Sequence, residues 1–147
     1  MSVVTYQRAQ LHTASPLTVE LTAFTRVTTA MERCAAEAQG VASAGPVAAT
    51  QRHVRLCDAV SQNSRLWLTL LEDLNSPANR LTAELKGRLA SLGATSVRHG
   101  RRVISGEATL QLLIDINRAI IAGLTQARLV ASRVPAESEV RYAGSQA

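Results

Sequence analysis

His53 and Cys57 stand four residues apart, a spacing that sets an imidazole and a thiol on one helix face and could offer two ligands to a metal. A structural zinc takes four ligands, and the chain has no CxxC pair and no second histidine pair. His12, His99 and Cys34 are scattered, so the expectation is a half-buried histidine beside a core thiol, with no metal. Glu72 and Asp73 are adjacent and diverge around a helix, so they cannot flank one substrate bond. No GxSxG, GxxxxGK or GxGxxG occurs, and no Cys–His pair comes with an orienting third group. The chain is read as a non-enzyme without cofactors. The run VRHGRR gathers Arg98, Arg101 and Arg102 around His99 and is the best candidate for phosphate contact. It lacks the interleaved aromatics that stack on bases. That argues against direct RNA binding and for a solvated or partner-facing patch.

Such residues need elements to hold them. With 147 residues the chain can bury one real core. Apolar residues make up 46% and aromatics 3%, so Leu, Val, Ile and Ala must form that core, which favours packed helices over a β-sandwich. No run approaches the roughly 20 apolar residues of a membrane span, and MSVVTYQRAQ lacks the marks of a signal peptide. Cytoplasmic residence with free thiols is the expectation. The net charge of +5 permits acidic partners without choosing one.

The longest apolar run, LQLLIDINRAIIAGL (110–124), anchors the reading. At 100° per residue Leu110, Leu113, Ile114, Ile116, Ile120, Ile121 and Leu124 share one arc. Asp115 and Arg118 fall opposite, spaced to pair. Asn117 falls inside the arc, where an unpartnered amide costs about 1–3 kcal/mol. It must therefore have a specific partner.

Residues 1–14 read as an arm, 15–133 as a helical domain and 134–147 as a disordered tail. Ser15-Pro16 opens a helix that GVASAG (40–45) ends. Pro46 starts a second, whose arc holds Val54, Leu56, Cys57, Val60, Trp67, Leu70, Leu71 and Leu74. Asn63 sits in that arc. Asn63 and Asn117 bond either to backbone carbonyls or water, or to each other as a register device. Ser76-Pro77 opens the third helix, with a stripe of Leu81, Leu85, Leu89 and Leu92 that Gly93 weakens or kinks. Ser105-Gly106 breaks the chain, Glu107 opens the last helix and Pro135 stops it. The fold expected is an all-α, single-domain bundle of four to five helices, mostly antiparallel.

Four segments, NSRLWLTLLEDL (63–74), NRLTAELKGRLASL (79–92), VRHGRRVISGE (97–107) and LIDINRAIIAGL (113–124), together resemble the FlaF family of alphaproteobacterial flagellar proteins. YQRA (6–9) and FTRVTTAM (24–31) also match that family's start. The resemblance implies a non-enzymatic, cytoplasmic flagellin-binding secretion chaperone that promotes flagellin synthesis, export and filament assembly. Its implied partners are flagellin, and FlbT or the flagellar export apparatus. The alternative is a post-transcriptional regulator acting on flagellin messenger RNA directly or through FlbT. For a partner surface the expected apolar framework is Trp67, Leu70 and Leu74 with Ile116, Ile120 and Leu124. Asp115 and Arg118 would supply polar contacts. The competing reading makes all six apolar residues internal core.

Overall fold

The computed structural model describes residues 16–40 and 45–145. Four helices follow one another: α1 (Pro16–Gly40), α2 (Gly45–Leu74), α3 (Ala83–Ile104) and α4 (Gln111–Ser145). Each contacts its chain neighbours, α4 closes on α1, and the diagonal pairs do not meet. This is a four-helix, up-and-down ring. The sides are unequal: α1·α4 and α2·α3 are the broadest seams and α3·α4 is the thinnest.

The helices start and stop for readable reasons. α1 opens at Pro16, as expected; the Ser15 cap and the 1–14 arm lie outside the described residues. The start of α3 corrects the expected Ser76-Pro77 opening. Ser76 Oγ accepts from Ala78 N (3.3 Å) and Asn79 Oδ1 from Leu81 N (3.0 Å), while Asn79 Nδ2 donates to Asp73 (3.1 Å). These local bonds hold the chain in a turn and compete with helix. Thr82 then caps α3, its Oγ1 accepting from Leu85 N at 3.2 Å.

α3 ends in a Schellman motif. Gly106 adopts φ +82°, Gly106 N–H bonds Val103 O, and Glu107 N–H bonds Arg102 O. Glu107 therefore closes α3 instead of opening α4, and its carboxylate faces Arg102 at 3.8 Å. α4 starts at Gln111 and runs through Pro135 to Ser145, past the expected stop and through most of the 134–147 stretch expected to be a disordered tail. A proline inside a helix forfeits one hydrogen bond, at about 3 kcal/mol. The helix formers Ala136, Glu137 and Glu139 follow it at once.

Gly93 does not kink α3. A Cβ there would meet Trp67 Cε3 at 3.0 Å and the Leu71 methyls at 3.1 Å, so the missing side chain lets α3 lie close on α2. Gly100 does the same against Val60, again at 3.0 Å. The core has two parts. One joins Val27, Met31, Ala59, Val60, Val103, Leu110, Leu113 and Ile114. The other is Phe24, Trp67 and Ile116. The Phe24 and Trp67 rings meet edge to face, centroids 5.4 Å apart, a geometry worth about 0.5–1.5 kcal/mol beyond the area buried.

Candidate partner-binding seam

Between the two apolar clusters runs a line of hydrogen bonds through four wholly buried side chains. Trp67 Nε1–H donates to Asn117 Oδ1 (3.1 Å), Asn117 Nδ2 to Asn63 Oδ1 (2.8 Å), and Asn63 Nδ2 to Ser96 Oγ (3.0 Å). The indole can only donate, so it fixes which end of Asn117 faces it. That choice fixes Asn63 in turn, and the polarity runs to Ser96. Asn63 and Asn117 thus meet each other, and α2, α3 and α4 are locked at one level. Among the described residues no buried polar side-chain atom lacks a partner.

The expected binding residues divide. Trp67, Leu74 and Ile116 are buried core. Leu70, Ile120 and Leu124 are half-buried and pack against the Phe24–Trp67–Ile116 cluster. Asp115 and Arg118 are exposed but do not pair with each other. Asp115 accepts from Gln111 at 2.8 Å, and Arg118 reaches across to Glu32 on α1 at 3.2 Å. Sequence spacing made the i, i+3 pair available; the broad α1·α4 seam supplied a better-placed carboxylate.

Cys57 Sγ lies 3.5 Å from His53 Nε2. Among the described residues no group of three or more His, Cys, Asp or Glu stands together, and His12 lies outside them. Cys34 is half-buried, and burial and then Glu37 push its thiol pKa up, away from the reactive thiolate. The VRHGRR run is split by the fold. Arg102 faces Glu107, His99 Nε2 bonds the Thr109 carbonyl at 2.9 Å, and Arg98 and Arg101 stay exposed.

The third-helix leucines depart from expectation. Leu85 is 42% exposed and Leu92 36%, with Leu89 half-buried; Leu81 precedes the helix and is exposed as well. The register explains why. Gly93 lies against Trp67 and Leu71, so one turn earlier Leu89 is level with the last turn of α2, and Leu85 lies past its end. Leu85, Leu92 and His99 recur every seven residues, and the His99–Thr109 bond marks that line as the side facing α4.

On α4, Arg118 marks the α1 side of Asn117. Ile116, Ile120, Gly123 and Leu112 fall on the other side, toward α3. Leu112 is 40% exposed, and a Cβ on Gly123 would meet nothing within 4 Å. The thinnest seam of the bundle is therefore apolar on both walls and open along its length. Sequence reading named its α4 wall and its floor (Trp67, Leu70, Leu74) and missed the exposure of its α3 wall, since core and surface leucines obey the same period.

Charges beside the seam are answered within the chain. Arg88 pairs with Glu84 at 2.8 Å, Arg102 with Glu107, and Asp115 accepts from Gln111. Such a surface attracts apolar groups and gives little long-range steering.

No helix is long and apolar enough to cross a membrane, among the described residues. No curated protein and no solved structure matches the chain. The family model of the flagellar protein FlaF matches residues 3–124, which takes in α1, α2, α3 and the first half of α4. The chain belongs to the FlaF family of flagellar proteins, and its role lies in flagellar biogenesis.

Proposed function

We propose that this protein binds flagellin in the cytoplasm as a secretion chaperone, keeping it unpolymerised and fit for export, and acts by binding and not by catalysis. The observation that carries the reading is the open apolar seam between α3 and α4 in a member of a flagellar family. Flagellin's terminal segments are amphipathic. An apolar face left uncovered would drive premature assembly, and a helical cleft that buries it holds the monomer by mass action. Contacts with FlbT or the export apparatus fit the same role and would use surfaces outside the seam.

The test is seeded polymerisation of purified flagellin followed by light scattering. One equivalent of this protein should abolish elongation, and excess seeds should not restore it. Unchanged elongation at several equivalents overturns the chaperone reading. Regulation through flagellin messenger RNA would then be left, with exposed Arg98 and Arg101 as its phosphate contacts.

A further inference from the structure

We infer that the α3–α4 seam receives a single amphipathic helix of flagellin as a fifth helix, laid along the line of Leu85, Leu92 and His99. This rests on the chaperone reading and assigns it a surface. Three observations point to a helix of that kind. First, the α3 wall has a seven-residue repeat, Leu85–Leu92–His99, with Leu89 in the turn between. A straight wall with that period is matched by another helix showing apolar residues at i, i+3 or i+4, and i+7. Second, the α4 wall offers Ala119 and Gly123 one turn apart, with open space over Gly123. Small residues there let a backbone come close without a clash. Third, the flanking charges Arg88, Arg102 and Asp115 are all engaged within the chain, so the occupant needs no matching charges. That disfavours an extended polyanion and favours an apolar helix face.

The fit sets a length. From Leu85 to His99 the wall runs about 21 Å, or four helical turns at 1.5 Å per residue. The occupant is therefore a helix of about 14–16 residues whose apolar face is unbroken by charge. A shorter helix would leave one end of the leucine line in water.

The experiment compares wild-type protein with Leu85→Asp, Leu92→Asp and Val54→Asp by titration calorimetry against monomeric flagellin. All three leucine or valine side chains are exposed, Val54 at 61% on the far side of α2, so the fold should survive each change. Circular dichroism melts check this. Leu85→Asp and Leu92→Asp should each weaken binding about tenfold or more, from the loss of a covered leucine and the burial of a charge. Val54→Asp should leave it unchanged. Leu85→Ala gives a milder loss in the same direction and keeps the test valid if an aspartate perturbs the helix. If wild type binds and both aspartate variants bind equally well, the seam is not the site, though the chaperone reading stands. If wild type does not bind, the chaperone reading itself fails. If wild type self-associates and Leu85→Asp is monomeric without any flagellin binding, the seam's occupant is a second copy and the inference is overturned.

Discussion

Replacing Asn117 by alanine should be among the costliest single changes in this protein. Asn117 joins two partners, accepting from Trp67 Nε1 and donating to Asn63 Oδ1, and both partners are wholly shielded from water. Its loss leaves an indole N–H and an amide oxygen unpaired, at about 1–3 kcal/mol each. The void of the missing side chain adds to this. A total near 4 kcal/mol is expected, a third or more of the stability of an ordinary domain at about 5–15 kcal/mol. The midpoint of thermal unfolding should fall by about 10 °C. The assay is urea unfolding followed by the fluorescence of Trp67, the one tryptophan in the chain, alongside circular dichroism. Asn63→Ala should be costly too, and the double variant should cost less than the sum of the singles by more than about 1 kcal/mol, because the Asn63–Asn117 bond is lost in each single. An Asn117→Ala cost below about 1 kcal/mol, or strict additivity, would refute the claim that one connected hydrogen-bond line holds three helices in register.

Three further outcomes follow from the same structure. Gly93→Ala should destabilise by about 1–3 kcal/mol despite alanine's better helix propensity, since its methyl meets the Trp67 ring at 3.0 Å; exposed Gly87→Ala, with nothing within 4 Å, should stabilise by up to about 1 kcal/mol in the same melts. Thr82→Ala should cost about 0.5–2 kcal/mol by removing the acceptor for Leu85 N, whereas Ser76→Ala, in the preceding turn, should cost less. Glu20 has its pKa raised above the model value of 4.5, first by burial and then by Asp73. The folded state therefore holds its proton more tightly than the unfolded chain, and stability falls as pH rises from about 4.5 through the raised folded value. Glu20→Gln should accordingly stabilise the protein at pH 7 and give no such gain at pH 4, as read by urea midpoints at the two pH values.

Much of this architecture was legible from periodicity. Asn63 and Asn117 stood out because each broke an otherwise apolar arc, and a buried amide demands a partner. Which partner was not legible. Ser96 and the Trp67 indole are brought to them by the packing of α3 and α4 on α2, and single-helix phase does not report neighbours. The misplaced helix starts have a local cause. Ser76-Pro77 and Glu107 both carry helix-opening chemistry, but Asn79 and Gly106 impose a turn and a Schellman close within a few residues. Arg118 illustrates the same limit: its intrahelical partner was in range, and Glu32, 86 positions away in sequence, took the bond. The seam was half legible. Ile120 and Leu124 were marked as a possible binding wall, while Leu85 and Leu92 looked like core, because their exposure follows from α2 ending at Leu74.

The central claim is that the seam binds flagellin through apolar burial. Titration calorimetry of the protein against monomeric flagellin at low and high salt, with a flagellin messenger leader as parallel ligand, tests it most directly. The account predicts saturable flagellin binding that survives high salt, with a negative heat-capacity change. Salt-sensitive binding of the messenger without binding of flagellin would contradict it and move the function to Arg98 and Arg101.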